Sequence, residues 1–335
     1  MGQAGLRDDI GRIPLSWAAD RGYETVARLL IERDDIDVDA RDNSGRSPLP
    51  WAAGNGHEAI VRLLIERNAD VNAKDKDGRT LLSNAATFGH KAIVQLLIER
   101  NADVNAKSSF GTPLVSAAMG GYEAVVRLLL SRHDVDVNAK DIFGLTPLAY
   151  AAQAGREAVV RLLLERDDVV VDPKDSNGCS PLSRVAGSGR EAILRLLLER
   201  NDVNVDAKDN DDQTPLMKAA ISGYEAVVRL LIAREDVDVN AKDNRGLSAL
   251  SWAAHNGHEG VVRLLLERNG VCADAKDNSG WSPLSWAAIM GHETVVRLLI
   301  ERDDVGVDAK DNDGRAPLSW AAMKGRTRGC CEAAD

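Results

Sequence analysis

A turn glycine that recurs at a fixed interval is the feature that most constrains the fold of this chain. The glycine usually closes a D-x-x-G motif, and successive copies lie 33 or 34 residues apart. They stand at Gly11, Gly45, Gly78, Gly111, Gly144, Gly178, Gly246, Gly280 and Gly314, with Asp212 in the place of one missing glycine. A period of this length is typical of an array in which each small repeat packs only on its neighbours. We therefore predict ten repeats, beginning near residues 8, 42, 75, 108, 141, 175, 209, 243, 277 and 311.

The composition favours one elongated array over several globular domains. A chain of 335 residues ordinarily splits into separate domains, but the unbroken period predicts a single repeat domain over residues 1–335. Aromatic residues make up only 4% of the chain, so the core must consist mainly of Ala, Val and Leu. The net charge of −10 argues against nucleic acid or an anionic membrane as the main partner.

The sequence also indicates a compartment. No apolar run approaches the roughly 20 residues of a membrane span, and the first residues form no apolar signal segment. The four cysteines occupy unrelated repeat positions, which suits a reducing environment. We expect a monomeric cytoplasmic protein without membrane insertion, the nucleus being the alternative compartment.

The repeat that begins at Asp277 shows the local structure of one unit. Asp277 to Gly280 predicts a turn, Ser282 a helix N-cap, and Pro283 the first helical position. Gly291 ends this first helix, and a second helix is predicted from about His292 to Arg302. On second helices, Glu and Arg recur four residues apart, the spacing of an exposed ion pair.

This pattern resembles the ankyrin repeat over residues 8–325. The matching segments include Thr112-Pro113-Leu114, Thr146-Pro147-Leu148, Thr214-Pro215-Leu216 and Gly56-His57-Glu58. The resemblance implies an all-α repeat solenoid of ten stacked helix–turn–helix units with finger-like turns, forming a curved superhelix. It also implies that fingers and first helices bind a partner protein. Among ankyrin proteins, the near-identical repeats resemble the large arrays of filamentous fungi.

One position of the repeat differs from the family pattern. The family's histidine after T-P-L is replaced in every repeat, by Ser16, Pro50, Ser83, Val115, Ala149, Ser183, Met217, Ser251, Ser285 and Ser319. In the family this histidine makes hydrogen bonds between repeats. We expect those bonds to be replaced or missing.

The residues that could carry chemistry do not form a catalytic or metal-binding motif. The G-H-E steps at His57, His258 and His292 lack the second histidine that a zinc-protease helix needs four residues later. Two finger sequences resemble a calcium loop but lack its first ligand and its closing glutamate. We expect no catalytic residue, metal or cofactor, and interpret the histidines as structural.

An aromatic column on the first helices is one candidate binding surface. It contains Trp17, Trp51, Tyr150, Trp252, Trp286 and Trp320. One interpretation is that these rings pack over the adjoining repeat. The other is an aromatic groove for a partner, because Trp and Tyr are favoured interface anchors.

A second candidate surface is local to three repeats. Phe110 and Phe143 lie in fingers and Phe88 closes a first helix, while Met119, Ile142 and Leu145 are expected to add apolar surface. Fingers elsewhere carry polar residues at the same positions, such as Asn177, Asp211, Ser279 and Asp313. Apolar side chains on a finger that cannot pack into the core of the repeat indicate an interface.

Deviations from the repeat predict weak points. Val185 replaces a paired alanine and Asp212 replaces a turn glycine, so we expect a softer joint near residues 173–212. Neither end has a polar capping repeat, and residues 326–335 do not continue the pattern. Our hypothesis for this tail is a frameshift or gene-prediction error that truncates a longer array.

These observations favour a non-catalytic protein-interaction module or scaffold. A substrate adaptor for a ubiquitin ligase or kinase, and the recognition region of a larger enzyme or signalling protein, remain alternatives. The sequence does not identify the partner.

Overall fold

The computed structural model describes residues 7–317 except Asp34, together with Ser319. These residues pack into two compact bodies, an N-terminal body to Val170 and a C-terminal body from Val171. Trp320 and the tail at residues 326–335 lie outside the described residues. Within the described part, the regular secondary structure is helical apart from one isolated bridge between Ser108 and Gly111.

The N-terminal body consists of five helix pairs. The first helices are α1 (Pro14–Arg21), α3 (Pro48–Gly54), α5 (Leu81–Thr87), α7 (Pro113–Gly120) and α9 (Pro147–Ala154). The second helices are α2 (Glu24–Ile31), α4 (Glu58–Glu66), α6 (Lys91–Glu99), α8 (Glu123–Leu130) and α10 (Glu157–Leu164). First helices pack on first helices and second on second, so each repeat contacts the next along both layers.

The C-terminal body repeats this arrangement in its four described helix pairs. Its first helices are α11 (Pro181–Ser188), α13 (Pro215–Ser222), α15 (Ala249–Asn256) and α17 (Pro283–Met290). Its second helices are α12 (Glu191–Leu198), α14 (Glu225–Ile232), α16 (Glu259–Glu267) and α18 (Glu293–Ile300). The predicted all-α repeat fold is confirmed.

Each first helix begins where the sequence predicts. In α7 and α17, the hydroxyls of Thr112 and Ser282 accept the backbone N–H three residues on, which satisfies an otherwise unpaired donor. Proline follows at the first helical position, where its missing N–H costs nothing. The paired alanines of these helices are buried, so neighbouring first helices approach closely.

The glycine that follows a first helix has two roles. Gly22 adopts φ 74°, which most side chains resist. A Cβ at Gly22 would also lie 2.5 Å from the ring of His57 in the next repeat. The His57 ring instead packs there and its Nε2 lies 3.1 Å from the Asp20 carbonyl oxygen.

The same ring position supplies hydrogen bonds between several repeats. The Nε2 atoms of His90, His258 and His292 lie 2.9–3.0 Å from carbonyl oxygens of the preceding first helix. The structural interpretation of these histidines is therefore confirmed. At the position of the absent family histidine, the hydroxyls of Ser83, Ser183, Ser251 and Ser285 bond within their own repeats, whereas the Ser16 hydroxyl is buried without a hydrogen-bond partner. Hydrogen bonds between these repeats thus come from the histidine of the G-H step.

The finger at Asp212 shows how the repeat tolerates a missing glycine. Asp212 adopts φ 60°, as predicted, and its N–H donates to the Asp209 carbonyl at 3.0 Å. Val185 is fully buried within its helix contact. The softer joint over residues 173–212 remains a prediction.

Candidate functional site

The fingers are held rigidly by their first aspartate. In the fifth finger, Asp141 Oδ1 accepts the backbone N–H groups of Phe143 and Leu145, both at 2.9 Å. The fourth finger carries Ser108 instead, whose Oγ accepts the Phe110 N–H at 3.2 Å. The fingertip backbones are thus ordered before any partner binds.

The aromatic column closes each finger onto its own first helix. The indole N–H of Trp51 donates to Asp42 Oδ2 at 3.1 Å, and the Tyr150 hydroxyl donates to Asp141 Oδ2 at 2.6 Å. The same bond joins Trp17 to Asp8, Trp252 to Asp243 and Trp286 to Asp277. Sequence reasoning missed this role, although the donor stands nine residues after the aspartate in every case.

Basic side chains make the same bond in two repeats where the column is not aromatic. Arg184 pairs with Asp175, and Lys218 Nζ lies 2.6 Å from Asp209 Oδ2. The column therefore has a structural role in the repeats that carry an aromatic or basic donor, whereas in the repeat of Asn84 the Asp75 Oδ2 atom is buried without a hydrogen-bond partner. Contact of its rings with a partner remains a prediction, and Trp320 lies outside the described residues.

Neighbouring side chains cover parts of these rings. The Arg12 guanidinium lies 3.5 Å from the centre of the Trp17 ring and 5.5 Å from that of Trp51. In the C-terminal body, the His255 ring lies between Trp252 and Trp286, at 5.7 Å and 4.9 Å. These contacts support packing over the adjoining repeat, the first of the two interpretations.

The apolar fingertips differ sharply from this packed column. Phe110, Ile142 and Phe143 are 56%, 68% and 56% exposed, and together we call them the apolar finger surface. Phe88 and Met119 are also exposed, at the C-terminal ends of α5 and α7.

The expectation that Leu145 adds to this surface is wrong. Leu145 is only 6% exposed. Its N–H is held by Asp141 after the turn at Gly144, where the chain leads directly into the buried start of α9. Leu247 is buried at the same place in its repeat, so a leucine at this position joins the core.

A side chain in the segment after the second helix bridges consecutive repeats. Asn105 Oδ1 accepts the Asp136 N–H at 2.8 Å, and its Nδ2 donates to the Asp134 carbonyl at 2.6 Å. Asn138 and Asn240 make the same two bonds to the repeats that follow them. The amide fits because it carries one acceptor and one donor side by side.

Three repeats of the C-terminal body have aspartate at this bridging position. Asp172 and Asp206 each accept the equivalent N–H through Oδ2, from Asn204 and Asp238. Their Oδ1 atoms, and that of Asp274, are buried without a hydrogen-bond partner. Burial raises the pKa of all three carboxyls above the ordinary aspartate value.

The described residues provide little for chemistry. They contain no group of three or more His, Cys, Asp or Glu side chains placed to hold a metal ion. Burial raises the pKa of the Cys179 thiol, which disfavours the reactive thiolate. No described helix has the length and apolar character needed to span a bilayer.

Comparison with known families agrees with the repeat architecture. The family model of ankyrin repeats, which spans three copies, matches residues 2–75, 70–141, 133–209, 169–243, 201–277, 235–311 and 269–333. These matches cover nearly the whole chain, and the chain belongs to the ankyrin-repeat family. Ankyrin repeats are generally protein–protein interaction modules. A comparison with curated proteins found no match.

Proposed function

We propose that this chain is a non-catalytic interaction module that captures a partner protein on the apolar finger surface. The supporting observation is the exposure of Phe110, Ile142 and Phe143 on fingers whose backbone is already ordered. Exposed apolar side chains gain free energy when a partner covers them, and aromatic residues are frequent anchors of interfaces.

The repeat fold itself does not require apolar fingertips. The fingers that carry Asn177, Asp211 and Ser279 have the same turn and the same aspartate-centred hydrogen bonds. Polar fingertips are therefore compatible with the structure. This makes recognition the better explanation for Phe110, Ile142 and Phe143.

The other exposed or half-exposed candidates extend the proposed contact. Phe88 and Met119 would meet a partner that reaches along the ends of the first helices, and the half-exposed edge of Tyr150 lies near the fifth finger. Trp17, Trp51, Trp252 and Trp286 take part only through the ring edges that their structural contacts leave open. An adaptor for a ubiquitin ligase or kinase would use the same capture step and then recruit the enzyme elsewhere.

The double substitution Phe110→Ala with Phe143→Ala tests this proposal. A random peptide display library is panned on the immobilised full chain, and selected peptides are measured against the variant. We expect at least about tenfold weaker binding, because two anchors lose their rings. The melting temperature should stay within about 2 °C, since exposed side chains contribute little to stability.

Leu29→Ser is the matched control, because Leu29 is 62% exposed but lies on the second helix α2. This variant should retain the selected peptides. A marked fall in melting temperature for the double variant would instead give the phenylalanines a structural role. Equal peptide binding by the double variant and the unsubstituted chain would refute the proposal.

A further inference from the structure

We infer that the apolar finger surface recognises a peptide segment that combines acidic with aromatic or aliphatic side chains. This inference rests on the proposed function, because it names the chemistry of the partner for the same surface. Its basis is the charge that surrounds Phe110, Ile142 and Phe143.

Exposed lysines flank the apolar fingertips. Lys107 and Lys140 stand three residues before Phe110 and Phe143 in their fingers, and Lys74 and Lys76 lie on the preceding finger. A backbone hydrogen bond joins the third and fourth fingers, since the Ser109 N–H donates to the Asp77 carbonyl at 3.4 Å. Among the described residues, Lys74, Lys76 and Lys107 form no ion pair with a carboxylate.

The acidic groups of the same fingers largely serve the fold. Both oxygens of Asp141 accept hydrogen bonds from its own repeat, two from backbone N–H groups and one from Tyr150. The side chain of Asp75 is buried, and its Oδ2 lies 3.5 Å from Arg46 Nε. Asp77 is the exposed carboxylate, and it lies 3.9 Å from Arg79.

The fourth finger has no acidic residue at all. Ser108 stands where the other nine fingers have their first aspartate, so Lys107 faces no carboxylate within its own finger. Residues 74–79, 107–112 and 140–145 together contain five basic and three acidic residues, although the whole chain carries a net charge of −10. A basic rim around apolar side chains complements a partner that is acidic and apolar.

Arginine adds a further contact for the fourth fingertip. The Arg79 guanidinium lies 4.3 Å from the centre of the Phe110 ring. This stacking orients the ring and places a cation over one of its faces. A carboxylate that approaches Arg79 can therefore accompany an apolar group that covers Phe110.

The fingers of the C-terminal body lack this combination. Lys208, Lys242 and Lys276 each donate Nζ to a backbone carbonyl of the following finger, at 2.6–3.0 Å. Residues 174–179, 208–213, 242–247 and 276–281 contain five basic and six acidic residues. The lysines there have structural bonds, and the local charge does not favour an acidic ligand.

The inference is tested with peptides selected from a random display library on the full chain. Peptides whose binding requires Phe110 and Phe143 are sequenced, and their affinities are measured with the triple variant Lys74→Gln, Lys76→Gln and Lys107→Gln. We expect an excess of Asp and Glu beside apolar residues, and about tenfold weaker binding by the triple variant. Affinity should also fall as salt rises from about 50 to about 500 mM, because exposed charges are screened.

A single-charge comparison provides the matched control. Lys107→Gln should weaken binding, whereas Lys91→Gln should not, because Lys91 is exposed at the start of α6 rather than at a finger. Fingertip-dependent peptides that are neutral or basic, or that bind the triple variant normally, would overturn the inference and leave the interaction module intact. The absence of any fingertip-dependent peptide would overturn both.

Sedimentation of the free chain distinguishes a second copy as the occupant. We expect a monomer at all accessible concentrations. Self-association that disappears in the Phe110→Ala/Phe143→Ala variant would contradict an acidic peptide ligand, because this surface would then pair with another copy of the chain.

Discussion

The N-terminal and C-terminal bodies use the same contact between repeats, but the side chain that makes it is mostly Asn in the N-terminal body, where Asp39 is the exception, and mostly Asp in the C-terminal body. Asn105 and Asn138 bridge an N–H and a carbonyl of the next repeat in the N-terminal body. Asp172 and Asp206 make only the bond to the N–H and leave one buried oxygen unpaired. The comparison shows that an amide can complete this inter-repeat contact where a carboxylate leaves a buried oxygen unpaired, although at Asn72 the structure gives only the bond from the Asp103 N–H.

The C-terminal body itself contains an asparagine at the bridging position, which can be compared with its aspartates. Asn240 makes both bonds, at 2.7 Å and 2.8 Å, although its neighbours in the repeat pattern are Asp206 and Asp274. Within the C-terminal body, the incomplete contact therefore follows the residue. If the unpaired oxygen of such an aspartate were protonated, its O–H would be a hydrogen-bond donor. This donor would lie at the place that the amide nitrogen of Asn240 occupies in its own repeat.

Replacing the complete contacts should have the largest effect on stability. Asn105→Asp with Asn138→Asp removes two donors and buries two carboxylates, so we expect a loss of about 3 kcal/mol at neutral pH. Urea unfolding of the full chain measures this change. An unchanged unfolding midpoint would contradict the claim that asparagine stabilises this contact more than aspartate does.

The reciprocal substitution should stabilise the chain. Asp172→Asn, Asp206→Asn and Asp274→Asn supply the missing donors, and we expect a combined gain of about 2 kcal/mol because these sites are only partly buried. The same unfolding experiment at neutral pH detects it. Lower stability of this triple variant would show that the carboxylates have partners that amides cannot replace.

The pH dependence of folding stability should distinguish the bridging aspartates from the aspartates that pair with arginine. Asp172, Asp206 and Asp274 have a pKa raised above 3.8, mainly by burial, so their contribution to stability is full below 3.8 and is lost as pH rises through the folded pKa. Asp202, Asp236 and Asp238 are the nearby carboxylates that oppose ionisation of Asp172 and Asp206. Asp304 acts in the same direction on Asp274, and Lys276 and the Ser282 hydroxyl act against it.

The exposed aspartates should change the stability of the chain with pH in the opposite direction. Hydrogen bonds from Arg200, Arg234 and Arg302 lower the pKa of Asp202, Asp236 and Asp304. Their contribution is present above 3.8 and is lost as pH falls through the lowered pKa. Carboxyl NMR titration should therefore place the bridging aspartates above 3.8 and the arginine-paired ones below it, and the reverse order would contradict the assignment.

The smallest effect is expected at the finger turn of the C-terminal body. Asp212→Gly removes the strain of a side chain at φ 60°, and we expect a gain of about 1 kcal/mol. Asp211→Gly is the control, because Asp211 does not have a positive φ. Equal effects of the two substitutions would assign the gain to lost charge rather than to backbone conformation.

The repeat frame could be predicted from sequence because each element has a local cause. Thr or Ser before Pro starts the first helix, and Gly22 and its equivalents end it. Because these signals recur with the repeat period, they located the helix pairs. The exposure of Phe110, Ile142 and Phe143 followed from their contrast with polar residues in the same column.

The remaining features depend on where the chain brings separate residues. Asp42 and Trp51 are nine residues apart, and this spacing recurs, so their hydrogen bond could have been found as a repeated pair. Burial of Leu145 depends on how the finger turn returns to α9. The unpaired oxygen of Asp172 depends on burial against the next repeat, which sequence alone does not give.

Site-specific cross-linking tests most directly whether the apolar finger surface is the binding site. Benzoylphenylalanine replaces either Phe143 or Asn177, which occupy the same fingertip position in consecutive repeats, one in each body. The chain is then irradiated with a peptide selected from the display library. We predict a cross-link from position 143 and none from position 177. An equal yield from both positions, or a cross-link from position 177 alone, would contradict the proposed site.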